Sequence, residues 1–119
     1  SVARAAGTPA RTPASAAELA RWLGIWRDPW FGEVRLCPAA AGVEFAAAKS
    51  PRLRGTVLHV GERVLVDWHD PSVDAEPWLL FSGEGATRRL RLAPVDPDAD
   101  FSYDWPDLDF SWTGPCPAP

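Results

Sequence analysis

The side chains best suited to acid–base or nucleophilic chemistry are two histidines with an aspartate and a serine close to the second. His59 and His69 are separated by ten positions, and Asp70 and Ser72 follow His69. A Ser-His-Asp set drawn from these neighbours would be awkward, because adjacent residues on a strand or turn point in different directions. The sequence also contains no Gly-x-Ser-x-Gly, Ser-x-x-Lys, His-Glu-x-x-His or Walker pattern. We therefore expect that this chain is not an enzyme and carries no cofactor.

A run of aspartates near the C-terminus is the second candidate site. With Asp96 counted as position 1, carboxylates fall at positions 1, 3, 5, 9 and 12, the spacing of calcium ligands in an EF-hand loop. Position 6 is Phe101 where that loop needs glycine, and Pro97 and Pro106 disturb its geometry. We expect a solvated acidic turn and no metal site. The aspartates are Asp96, Asp98, Asp100, Asp104 and Asp107.

Tryptophan is unusually frequent and is open to two interpretations. Each indole offers a flat apolar face and one donor, so the set could line a ligand cavity or fill the core of a small barrel. We favour core filling for most of them, with Trp30 and Trp78, each beside a proline, nearer a rim. The seven are Trp22, Trp26, Trp30, Trp68, Trp78, Trp105 and Trp112.

Overall composition excludes several classes of protein. A chain of 119 residues is one domain by length. Twelve basic against sixteen acidic residues give a net charge of −4, which is unfavourable for binding nucleic acid. No apolar run is long enough to span a membrane. Since the sequence has no methionine, even at position 1, we expect it to begin inside a longer gene product or after processing.

The pattern of apolar residues predicts an all-β fold. Thirteen prolines and nine glycines interrupt the chain too often for long helices. From Ile25 onward, apolar residues alternate with polar ones and turn residues recur every eight to twelve positions, which favours a small antiparallel barrel of eight strands. The predicted strands are 24–29, 32–38, 42–48, 53–60, 63–69, 77–83, 87–94 and 101–112.

The N-terminal residues are predicted to form a linker and a short helix. Residues 1–14 are rich in Ala, Thr, Pro and Arg and lack apolar bulk, which is typical of a linker. Ser15 and Glu18 have capping-box spacing, and apolar residues then recur at helical intervals until Gly24, which predicts a helix over about 16–23. The barrel domain is expected over 15–113, with a tail at 114–119.

The two cysteines could form one disulfide. Cys37 ends the second predicted strand and Cys116 lies just beyond the last, and the last strand of a closed barrel returns beside the first. A bond is feasible, but the distance between the Cα atoms cannot be derived from the sequence.

Several segments resemble known families. Gly24-Ile25-Trp26 after a short helix resembles the Gly-x-Trp of lipocalin-like barrels. Residues 24–34, 66–71 and above all 100–110, Asp-Phe-Ser-Tyr-Asp-Trp-Pro-Asp-Leu-Asp-Phe, look like the C-terminal domain of unknown function appended to serine beta-lactamase-like, penicillin-binding-protein-like hydrolases.

This resemblance implies a fold, a partner and a location. The barrel would be lipocalin-like and non-catalytic, and would pack on the serine hydrolase domain of the same chain to shape or cover its active site. An exported, periplasmic setting is also expected. The sequence leaves the oligomeric state open, with a homo-oligomer as one alternative. Contacts are predicted from Leu19, Trp22, Leu23, Trp30 and Trp78. Barrel closure is predicted from Trp26, Tyr103, Asp104, Trp105, Asp107 and Asp109. The alternative is an independent carrier of a small apolar ligand inside the barrel.

Overall fold

A closed antiparallel β-barrel of eight strands, with one further strand added, forms the body of the molecule in a computed structural model that describes residues 10–98 and 105–118. Strand order around the sheet is β1-β5-β4-β3-β2-β9-β8-β7-β6, and a β5–β6 pairing closes the ring. The all-β barrel predicted from the sequence is confirmed. Its strands are β1 (Arg11–Pro13), β2 (Gly24–Asp28), β3 (Gly32–Ala39), β4 (Gly42–Ala47), β5 (Arg54–Val60), β6 (Arg63–Trp68), β7 (Pro77–Ser82), β8 (Arg89–Pro94) and β9 (Phe110–Gly114).

The direction of β2 defines two ends of the barrel. The upper end is the one at Gly24, and the lower end is the one at Asp28. Successive antiparallel strands place the β5–β6 and β7–β8 connections at the upper end, and the β2–β3 and β6–β7 connections at the lower end.

Alternating side chains of the strands fill the barrel. On β6, Val64, Val66 and Trp68 are buried in the core cluster, whereas Arg63 and Asp67 are exposed on the outer wall. Each such aliphatic side chain contributes about 1.5–3 kcal/mol when it is taken fully out of water. The largest side chains that are less than 2% exposed are Trp26, Trp105, Phe45, Phe110, Leu36, Leu53, Leu65 and Leu90.

The extra strand β1 lies in line with β4 along one edge of β5. The first half of β5 pairs with β4, and its second half pairs with Arg11–Pro13. The Arg11 guanidinium also reaches Glu76, just before β7, at 2.7 Å. Residues 11–14, which the sequence assigned to a linker, therefore belong to the folded body, and residues 1–9 lie outside the described residues.

The predicted N-terminal helix is not seen. The capping box does form, since the Ser15 and Glu18 backbone amides each donate to the other residue's side chain at 3.1 Å. The chain then makes turns and a single 3₁₀ turn at Ala20–Trp22 before β2 begins. Two helical turns are too short to be stable in water, and packing on the barrel determines the conformation here instead.

The last strand is shorter than predicted and lies later in the chain. A 3₁₀ turn at Trp105–Asp107 precedes β9, which runs from Phe110 to Gly114. Pro106 lacks an N–H for a ladder and has a fixed φ, so it favours a turn. Residues 101–104 of the predicted strand lie outside the described residues.

No helix in the described ranges has the length and apolar character needed to cross a membrane.

Candidate functional site

The lower end is held together by Asp28, the one charged side chain buried among the described residues, with 2% exposure. Its Oδ1 accepts the backbone N–H groups of Trp30 at 2.7 Å and Phe31 at 2.8 Å. Its Oδ2 accepts the N–H of Asp109 at 2.8 Å. Burial alone would raise the pKa of Asp28, but the three donors outweigh it and hold this pKa below its ordinary value. An ionised carboxylate thus ties the β2–β3 turn to the start of β9.

The same carboxylate presents Trp30 to solvent. Trp30 is 91% exposed, at the tip of the turn that Asp28 holds. The next residue, Phe31, anchors the turn by packing edge-on against Phe110, with ring centroids 5.7 Å apart. Trp30 is therefore a large apolar side chain on a backbone restrained on both sides.

Asp109 links the approach of β9 to β8. Arg89 donates to its carboxylate through Nε at 3.1 Å and Nη2 at 2.7 Å, and Arg91 lies 3.6 Å away. The hydrogen bonds from Arg89 hold the pKa of Asp109 below its ordinary value.

The other residues predicted to close the barrel differ in their burial. Trp26 and Trp105 are fully buried, whereas Asp107 is exposed. Tyr103 and Asp104 lie outside the described residues.

The acidic run shows no metal centre in the part that is described. Asp96 and Asp98 are exposed, and the Asp96 carboxylate accepts the N–H of Asp98 at 2.9 Å, as in a turn. Asp100 lies outside the described ranges. Within those ranges, no group of three or more His, Cys, Asp or Glu residues could hold a metal ion.

Aromatic side chains cover the upper end. Trp22 stacks on Phe81 with ring centroids 4.9 Å apart and an angle of 11° between the planes. The indole N–H groups of Trp26 and Trp112 donate to the backbone oxygens of Trp22 at 3.1 Å and Leu23 at 3.0 Å. These bonds dock the segment before β2 onto the mouth of the barrel.

Of the predicted contact residues, only Trp30 is free to meet a partner with most of its surface. Leu19 is 5% exposed, and Trp22 and Leu23 pack half-buried against the core. Trp78 is half-buried on the outer wall, under the Arg63 guanidinium at 3.9 Å.

A cleft opens at the upper end where β6 and β7 separate. These two strands pair only at Leu65 and Trp78. The space beside them has a volume of about 440 Å³. It is lined by Glu18, Leu19, Trp22, His59, Glu62, Arg63, Val64, Leu79, Leu80 and Phe81.

His59 lines this cleft beside Glu18. Its Nε2 lies 2.5 Å from Glu18 Oε2, its Nδ1 is buried without a hydrogen-bond partner among the described residues, and its side chain is 24% exposed. The backbone N–H of Ser15 is the main cause that lowers the pKa of Glu18 below its ordinary value, so Glu18 faces His59 as a carboxylate at neutral pH.

The Ser-His-Asp neighbours are not arranged for nucleophilic catalysis. The Ser72 hydroxyl donates to Asp70 at 2.6 Å, whereas His69 Nε2 lies 2.9 Å from the Thr56 hydroxyl. The Ser72 bond also lowers the pKa of Asp70. The histidine thus contacts neither the serine hydroxyl nor the aspartate in the way that a proton relay requires.

Cys37 and Cys116 are joined by a disulfide, with their Cα atoms 5.8 Å apart. The bond fixes the segment after β9 to β3 near the upper end. The pairing that the sequence left open is therefore formed.

Sequence reasoning missed two features of the ends. Asp28 precedes Pro29 in a turn, a recognisable Asx signal, but its bond to Asp109 spans 81 positions and had no local sign. The cleft depends on where the β6–β7 ladder stops. Only the alternation along β5, which places His59 on the same face as the buried Val57, could have indicated the side of the strand on which the imidazole lies.

Comparison with known proteins adds no relative: no family model, no curated protein and no solved structure matches the chain. The fold places the chain in the class of small closed antiparallel β-barrels.

Proposed function

We propose that this chain is a non-catalytic β-barrel accessory domain that packs against the catalytic domain of a serine beta-lactamase-like hydrolase within the same parent chain. The exposure of Trp30 on a restrained turn is the observation that carries this proposal. The resemblance of residues 24–34, 66–71 and 100–110 to the appended domain of such hydrolases supplies the partner.

An exposed tryptophan on a restrained backbone is well suited to a protein contact. Tryptophan is among the residues that most often dominate binding energy at interfaces, because it removes a large apolar area from water. Asp28 fixes the turn beforehand, so little backbone ordering remains to oppose binding. Docking at the lower end would place the barrel against the hydrolase domain through Trp30 and Pro29.

The disulfide fits the exported setting that the resemblance implies. Disulfides persist in oxidising compartments such as the periplasm and are rare in a reducing cytosol. The bond between Cys37 and Cys116 supports that location.

The carrier alternative has less support from the geometry. A ligand inside the barrel would have to displace Trp26, Phe45 or Trp105, which are at most 1% exposed. A packed interior favours a domain that binds its partner through its outer surface.

Two measurements test the accessory role. Intact-mass analysis of the native species, with an antibody to this domain, should find a chain several times longer that contains Ser-x-x-Lys upstream. In that full-length protein, Trp30→Ala should weaken docking of the two domains by about thirtyfold, read as lower hydrolase activity or a lower melting temperature of the hydrolase domain.

Leu80→Ala is the matched control, because Leu80 is the other large exposed apolar residue of the described surface, at 40%, and lies away from the lower end. We expect it to leave hydrolase activity unchanged. A native species no larger than this chain, or a Trp30→Ala protein whose hydrolase is unaffected, would overturn the proposal.

A further inference from the structure

The cleft at the upper end is a gap in the barrel wall. The β5–β6 ladder runs from Gly55–Trp68 to Val60–Arg63, and the β7–β8 ladder runs from Pro77–Pro94 to Ser82–Arg89. Between them, β6 and β7 pair only at Leu65–Trp78. The later part of β7 therefore has a ladder partner on one side only, and the side facing β6 borders the cleft.

The floor of the cleft is apolar and aromatic. Trp22 and Phe81 stack with centroids 4.9 Å apart, and Leu19 and Leu79 lie beside them, each 5% exposed. A volume of about 440 Å³ lies in the range of small-molecule sites and is large enough for one aromatic ring with a short chain.

Two carboxylates line the cleft. Glu18 lies beside His59, whose two ring nitrogens are both buried from solvent. Glu62 adds a second carboxylate, which has no ion pair among the described residues.

The two arginines nearest the cleft lie over indole rings, and Arg21 is 4.7 Å from the centre of the Trp22 ring. The guanidinium of Arg63 lies 3.9 Å from the centre of the Trp78 ring, on the outer wall. A ligand head in the cleft would thus meet the carboxylates of Glu18 and Glu62, a pair that attracts a cationic donor and repels an acid.

We propose that this cleft binds a small amphiphilic amine, whose ammonium group lies against Glu18 and Glu62 and whose aryl or alkyl body packs against the edge of the Trp22–Phe81 pair. The ammonium pairs with the two carboxylates, and the body covers the apolar floor. This site is independent of the accessory role, because it lies at the opposite end from Trp30.

The test compares three probes that share one apolar body: 4-phenylbutylamine, 4-phenylbutanol and 4-phenylbutyrate. Titration of the whole chain is followed by calorimetry and by the indole N–H and backbone amide signals in NMR. The amine should bind about tenfold more tightly than the alcohol, and the acid more weakly than either. Shifts should centre on Trp22, His59 and Phe81.

Two variants separate the head of the ligand from its body. Glu62→Gln removes a charge at nearly constant volume and should weaken amine binding about fivefold while leaving alcohol binding unchanged. Asp74→Asn is the matched control, since Asp74 is an exposed carboxylate in the connection at the lower end, and it should change neither. Trp22→Ala should weaken amine and alcohol alike.

Several outcomes would overturn the proposal. These are acid binding as tight as amine binding, shifts centred away from the cleft, no binding of the amine up to about 10 mM, or equal effects of Glu62→Gln and Asp74→Asn. Both carboxylate variants are surface changes, so a native NMR spectrum is expected for each and keeps a negative result interpretable.

Discussion

Asp28 at the lower end is buried and His59 at the upper end is half-buried, and the two differ in how many of their polar atoms have hydrogen-bond partners. Asp28 accepts three backbone N–H groups, and each bond also fixes a turn. His59 has one short contact to Glu18 and a nitrogen without a partner. A fully satisfied buried network stiffens its surroundings, whereas an unpaired polar atom costs stability. The lower end is thus the more rigid of the two, and the cleft proposed to bind an amine lies at the upper end.

The largest expected effect is the loss of stability on removing the disulfide, which lies near the upper end. It closes a loop of 79 residues, so its loss in a Cys37→Ser/Cys116→Ser variant should lower the free energy of unfolding by about 4 kcal/mol. Urea denaturation measures this. In hydrogen exchange, amides near Gly24 and Leu36 should lose protection while those of Phe31 and Asp109 keep theirs. A loss below about 1 kcal/mol would contradict this role.

Asp28→Ala attacks the opposite end and should cost about 2–3 kcal/mol, because it leaves three backbone N–H groups without their acceptor. Chemical denaturation of this variant is compared with that of Asp107→Ala, an exposed aspartate nearby, which should change stability by less than about 0.5 kcal/mol. Equal effects of the two variants would show that the buried carboxylate has no special part in holding the lower end.

Acid should weaken the lower end more than the upper one. Asp28, Asp70 and Asp109, all near the lower end, have pKa values below their ordinary value. At the upper end, the pKa of Glu18 is also lowered. Such groups stabilise the fold fully above the unfolded-state pKa, near 4, and this stabilisation is lost as pH falls through the folded-state values. The free energy of unfolding should therefore fall between about pH 5 and pH 2, and Asp28→Asn should make that fall shallower. An unchanged slope in Asp28→Asn would assign the acid sensitivity to other groups.

The barrel strands could be predicted because each one carries its own signal. Alternation such as Val64, Val66 and Trp68 against Arg63 and Asp67 is local, and turn residues mark the strand ends. The predicted starts and ends of the barrel strands agree with the structure within about two residues, except for the start of β9, since turns limit how far a ladder can extend.

Features that depend on distant partners were not predictable. Arg11–Pro13 has no strand pattern of its own and becomes a strand only because half of one edge of β5 is left open by β4. The helix expected at 16–23 carried a correct local cap, but packing of Trp22 on Phe81 determined the outcome. Likewise the cleft exists because the β6–β7 ladder ends after one residue pair. The length of that ladder cannot be predicted from the sequence of either strand alone.

The joining of β2 to β9 has a consequence for the order of folding. Most neighbouring strands in the barrel are consecutive in the chain and can form as local hairpins, whereas Ile25 must find Gly114. Bringing such distant segments together has the larger entropic cost, so this step should set the folding rate. The Asp28–Asp109 bond and the disulfide both lie beside that seam, and an oxidised chain would begin its search with the two segments already tethered.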